Sequence, residues 1–253
     1  VFLTKILQKK YFLFQQQDLY TKKILSYKNK KMRGINFSEA MWRKFGGAIS
    51  QALGNFWNQQ WDERTVTYNV KGEGYTDIKN VFKDTAEGEV VLTNVIKPWI
   101  KLSNDSKILK IAEYVNKRLT YTSDKTQYGK SEYWQSPYEI WKRKKDDCDG
   151  YAILIFKLAV LAGIPRYRIK VVAGQIKLKD KKISGHCYVQ YLKEKNNNWF
   201  TIEGSFRRTD AMNRFKNDSP HTDDLDSYGK LWWTTTDQKS FSQNDMKIKK
   251  GIK

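Results

Sequence analysis

The sequence predicts an α+β fold, with helices gathered ahead of strands that pair as an antiparallel sheet. Three observations predict it. Residues 104–119 carry apolar side chains at helical spacing, residues 151–161 are apolar almost throughout, and three strand-like runs follow at once. Those runs are Arg168–Leu178, His186–Leu192 and Trp199–Glu203.

Taken in chain order, the elements differ in texture. Residues 1–31 hold eight lysines against Asp18, a net +7, and read as a basic arm, either a solvated tail or a contact for nucleic acid or membrane. The chain opens on Val1 and meets its first methionine at Met32, so this arm is either an unusual start or an upstream extension. Residues 37–61 read as an aromatic helix, capped by Ser38, with Met41, Phe45, Ile49, Ala52 and Phe56 at helical spacing. Thr65–Val70 reads as a strand and Gly72-Glu73-Gly74 as a turn. Ser103 or Asn104 caps the next helix, whose Ile108, Ile111, Ala112, Val115 and Leu119 share one face. A loop through Tyr133-Trp134-Gln135-Ser136-Pro137 leads to Asp146-Asp147-Cys148-Asp149-Gly150, which opens the apolar helix. Gly163 and Pro165 end that helix. The implied organisation is a basic arm (1–31), a helical aromatic extension (32–102), a mixed helix-and-strand domain (103–241) and a basic tail (242–253).

Composition excludes several classes. The chain has 253 residues, enough for one ordinary domain with extensions or two small ones, and 40% hydrophobic with 14% aromatic residues supplies a core. Forty-seven basic residues against 27 acidic ones leave +20, which favours an anionic partner such as nucleic acid, an acidic envelope or a cell-wall polymer. Two cysteines and two histidines cannot build a Cys-rich zinc site or a disulfide scaffold, so no metal and no cofactor is expected. The longest apolar stretch, Tyr151 to Pro165, is interrupted by Lys157 and is shorter than a bilayer span. Tyr11–Phe14 is too short for a secretory apolar region, and the expectation is a soluble protein with free thiols.

Cys148 sits at the first turn of the apolar helix, where unsatisfied backbone N–H groups and the helix dipole favour an anion. The flanking Asp146, Asp147 and Asp149 oppose that effect, and one of them serves equally well as a helix cap. Strand alternation puts His186, Tyr188, Gln190 and Leu192 on one face and Cys187 on the other, so Cys187 reads as a small core residue. Asn196-Asn197-Asn198 makes a hairpin loop of about four residues. Such a loop sets Tyr188 opposite Glu203, with His186 as its diagonal neighbour. Cys148, His186 and Glu203 then supply a nucleophile, a base and an orienting carboxylate. The backbone N–H of Cys148 is the natural oxyanion donor, and Gln135 and Trp134 are candidates for a second. His221 lies in a polar stretch and reads as a surface loop.

This ordered set resembles the transglutaminase-like superfamily, whose core has a papain-like fold. The resemblance runs through Tyr133–Pro137, Asp147-Cys148-Asp149, Ala162–Pro165, Val171–Gly174, Gly185-His186 and Trp199–Glu203, over roughly residues 105–205. Tyr228–Trp233 also looks like the tail of some members. It implies that Cys148 is nucleophile, His186 base and then acid, and Glu203 orienter. Two departures stand out: Glu203 where Asp is more usual, and Cys187-Tyr188 where Ala-Trp is common. The implied activity is thiol-dependent acyl transfer on amide or peptide bonds, hydrolytic in the manner of small single-core members. An alternative of a different class is a structural or adaptor protein of a phage-like particle, with virion subunits as neighbours and reduced or no catalysis. A nucleic-acid-binding module rests on charge alone.

Overall fold

A computed structural model of the chain describes residues 61–63, 67–69, 75–178, 182–206, 208–218 and 228–243. The basic arm, most of the aromatic helix, the turn at Gly72–Gly74, His221 and the tail from residue 244 lie outside the described residues. Trp61, placed at the end of the expected helix, instead opens a strand.

The elements run β1 (Trp61–Glu63), β2 (Thr67–Asn69), β3 (Tyr75–Asp77), α1 (Ala86–Ile96), α2 (Asn104–Arg118), β4 (Thr120–Tyr121), α3 (Asp124–Tyr128), α4 (Pro137–Arg143) and β5 (Lys145–Asp146). Then come α5 (Cys148–Leu161), β6 (Ile169–Lys177), β7 (Ile183–Leu192), β8 (Trp199–Ile202), α6 (Arg208–Lys216), β9 (Tyr228–Thr235) and β10 (Ser240–Gln243). Six strands form one sheet in the order β1-β10-β9-β6-β7-β8, every neighbour antiparallel. The expected α+β architecture is therefore present. No described helix is long and apolar enough to cross a membrane.

The central helix α5 explains the layout. Every residue from Asp149 to Ala159 is buried, so its apolar surface has to be covered on all sides. The sheet, through β7, covers one side, and α1, α2 and α4 cover the rest. α2 presents Ile108, Ile111, Ala112 and Val115, the face expected from their spacing, and Ser103 caps its start. α4 begins with a capping box, in which Ser136 and Glu139 each accept from the other's backbone N–H and Pro137 follows the cap. Lys157, the one cation within α5, reaches out of the core to the Phe82 carbonyl at 3.1 Å and to Asp84 at 3.5 Å, and also pairs with Glu89.

The hairpin after α5 sets the site. Leu192 pairs with Trp199 and Val189 with Ile202, and the Lys193 N–H donates to the Asn198 carbonyl at 2.9 Å, which leaves a loop of about four residues as expected. Asn197 takes the left-handed conformation that closes it, at φ 55°. An even loop preserves facing, and extending the register places Tyr188 opposite Glu203.

At the head of α5 the backbone of Gly150 lies against Asp146. A Cβ there would stand 2.3–2.4 Å from the Asp146 side chain. Asp146 cannot swing aside, because its two oxygens accept from the Asp147 N–H at 2.9 Å and the Gln135 amide at 3.0 Å. Gly150→Ala is therefore expected to cost about 1–3 kcal/mol through overpacking, or a fall of roughly 2–10 °C in thermal midpoint. Thermal unfolding followed by circular dichroism checks this.

Candidate functional site

Cys148 is the first residue of α5, and Asp147 is the N-cap, its side chain accepting from the Asp149 N–H at 3.4 Å. The thiol is half-buried and packs on the core. The backbone N–H of Cys187 donates to its sulfur, which seats the sulfur against β7 one residue from His186. Burial pushes the Cys148 thiol well up from its ordinary range, and the charges of Asp149 and Asp147 push it further. The Cys187 N–H pulls the other way. Burial and the acidic residues together outweigh the helix terminus that favours a thiolate. Cys187 itself is buried in the core, as its facing predicts.

His186 is buried, and its Nε2 lies 2.9 Å from Oε1 of the fully buried Glu203. The imidazole stacks on Tyr188 at 5.8 Å and meets Phe206 edge-on at 5.6 Å. Glu203 Oε1 also accepts from the Tyr228 hydroxyl at 2.7 Å, whereas Oε2 accepts no hydrogen bond among the described residues. Gly204 follows because a Cβ there would stand 2.5 Å from the Cβ of Tyr151, so α5 and the end of β8 are in direct contact.

The two oxyanion candidates differ. Trp134 is buried against Trp233, and its indole N–H donates to Glu132 at 3.2 Å. Gln135 is buried and donates to Asp146, which places its amide at the head of α5 with one further N–H on the same nitrogen.

Beside the thiol lies an acidic cluster. Ligand atoms of Asp124, Glu132 and Asp149 fall within 4.8 Å of one another, as do those of Asp124, Asp146 and Asp147. Asp149 is 3% exposed, yet neither of its oxygens accepts a hydrogen bond among the described residues, and the same holds for Asp124 Oδ1. Buried, unsatisfied carboxylate oxygens converging in this way fit a hard, oxygen-seeking cation. Sequence reasoning saw the three aspartates around Cys148 but missed Asp124 and Glu132. Asp124 arrives because β4 and β5 pair in parallel, Tyr121 beside Asp146, and a two-residue strand leaves almost no pattern. Tyr228 was visible only as the start of an aromatic run.

Comparison with known families finds one similarity. The family described as bacterial transglutaminase-like cysteine proteinase (BTLCP) matches residues 82–190, from the end of the turn before α1 through Cys148 and His186. Residues 82–190 are thus similar to a transglutaminase-like family. Comparison with curated proteins finds no match. Among solved structures, calcium-bound LapG of Legionella pneumophila aligns at 14% identity over 78% of this chain and 87% of that one, with a TM-score of 0.44. The EGTA-treated form gives 13%, 78%, 86% and 0.43. A TGase aligns at 14% over 74% of this chain and 38% of that one, with a TM-score of 0.28. The family match supports a transglutaminase-like cysteine protease function for the matched segment. Virion subunits and anionic partners gain no support from these comparisons.

The acidic cluster makes stability depend on pH. Asp124 is raised to about 7 and Asp146 to about 8, burial being the first cause and neighbouring carboxylates adding to it. Between roughly pH 4, where such groups ionise in an unfolded chain, and these raised values, the folded state holds protons that the unfolded state has released. Stability from these groups is therefore greatest on the acid side and falls as pH rises through 7–8. In EDTA, the urea midpoint is expected to fall from pH 5 to pH 8 and level off above. Asp146→Asn flattens part of that slope.

Proposed function

We propose that the protein is a thiol-dependent hydrolase of peptide or amide bonds, with Cys148 as nucleophile, His186 as base and then acid, and Glu203 as orienter. The observation that carries this reading is the buried 2.9 Å contact between His186 Nε2 and Glu203, made from the strand whose next N–H holds the Cys148 sulfur. With Nε2–H donated to Glu203, Nδ1 is the nitrogen left to take the thiol proton. The thiolate attacks the carbonyl carbon, and the backbone N–H of Cys148 with the Gln135 amide takes the developing oxyanion. Imidazolium returns its proton to the leaving amine, leaving a thioester that water cleaves with His186 again as base. The protein or peptide substrate implied by the family match fits this cycle.

The acidic cluster extends the reading. Asp124 with Glu132 and Asp149, or with Asp146 and Asp147, would hold a divalent cation. A cation there supplies positive charge that offsets the carboxylates now keeping the Cys148 thiol neutral.

Two experiments test these points. Cys148→Ala, folded by circular dichroism, is expected to lose hydrolysis of a casein or peptidoglycan-peptide substrate that the wild type cleaves; undiminished cleavage would falsify the nucleophile assignment. Calcium at about 100-fold over its Kd is expected to stabilise EDTA-treated protein by about 2.7 kcal/mol, seen as a higher thermal midpoint. Asp149→Asn, relieved of the cost of keeping a buried carboxyl protonated, starts higher and gains nothing from calcium. An equal calcium increment in both proteins would remove Asp149 from the site.

A further inference from the structure

Glu203 is shared by two donors on one oxygen. His186 Nε2 lies 2.9 Å and the Tyr228 hydroxyl 2.7 Å from Oε1, while Oε2 accepts from no described residue. A carboxylate withdrawn from water and gripped by one hydrogen bond can rotate about its terminal torsion, which is broad and roughly two-fold. A second donor on the same oxygen removes that freedom and keeps Oε1 aimed at the imidazole.

The fold delivers Tyr228 to this point. Tyr228 is the first residue of β9 and pairs with Ile176 of β6, while β6 in turn pairs with β7. Opposite His186, β6 contributes Gly174, which adds no side chain to the face that His186 shares. Tyr228 then closes an aromatic wall: its ring meets Tyr188 at 5.0 Å and Phe206 at 6.4 Å, the same two rings that contact His186. That wall excludes water from the His186–Glu203 contact, so each donor to Glu203 counts for more than it would in solvent.

We propose that Tyr228 is a positioning residue for the thiol site, fixing His186 through Glu203. The inference rests on the Cys148–His186–Glu203 reading and deepens it. Its test uses the full chain and the second-order rate of Cys148 alkylation by iodoacetamide, with the modified cysteine identified by peptide mapping. Tyr228→Phe keeps the ring contacts and removes only the hydroxyl. It is expected to slow alkylation on the order of tenfold, the size of one hydrogen bond to a charged acceptor. In a Glu203→Gln background the same substitution changes the rate less than about twofold, because the partner through which Tyr228 acts has been altered. If Glu203→Gln does not fold, Glu203→Asp takes its place, and the Tyr228→Phe loss again shrinks.

The outcomes separate cleanly. If Tyr228→Phe alkylates at the wild-type rate while Glu203→Gln is slow, the positioning role falls and the three-residue reading stands. If Tyr228→Phe costs the same in both backgrounds, the tyrosine acts on the fold and not through Glu203, which also overturns the proposal. If Glu203→Gln alkylates at the wild-type rate, the underlying reading fails and the inference goes with it.

Discussion

A helix that is apolar on every side is stable only when something surrounds it, and α5 imposes that requirement on everything else. Eleven consecutive buried residues, Asp149–Ala159, call for a sheet on one side and helices on the others. The chain supplies α1, α2 and α4 before α5, and β6 to β8 after it. The first turn of such a helix cannot be covered in the same way, because its leading N–H groups need polar partners. The site forms at that one polar end. Asp147 caps it, Gln135 and Asp146 brace it, and β7 brings His186 alongside.

The electrostatics at that end oppose each other. A helix N-terminus and a neighbouring imidazole favour a thiolate, whereas three aspartates within two residues of Cys148 favour the thiol. Burial and the carboxylates together favour the thiol, and the acids bear a cost themselves, since burial and mutual repulsion raise Asp124, Asp146 and Asp149 together. A group of acids held out of water beside a nucleophile destabilises the fold in isolation. Its presence makes sense where a cation completes it.

Much of this was legible in the sequence, and the boundary has a physical cause. α2 and α5 could be read because their apolar residues repeat over three or four turns, and the β7–β8 hairpin because a period-two pattern and a short Asn-rich loop fix the facing. That facing is why Cys148, His186 and Glu203 could be read together as a candidate set. Asp124 and Tyr228 could not, because each reaches the site through a pairing that leaves no local pattern: a two-residue parallel bridge in one case, a bulged β6–β9 ladder in the other. The strand at Trp61 was likewise hidden. Three residues paired with β10, at the far end of the chain, carry no signal that a helical reading of the preceding aromatics would not absorb.

Lys157 has a consequence for where the folding unit begins. An ammonium inside an otherwise apolar helix is tolerable only because Asp84, Glu89 and the Phe82 carbonyl meet it, and all three lie upstream of α2. A boundary drawn at residue 103, where the amphipathic pattern begins, would strand that charge in the core. The segment before α2 thus acts as a counter-ion for the centre of the molecule, and the Asp84 carboxylate is as much a part of the interior as the leucines and isoleucines of α5.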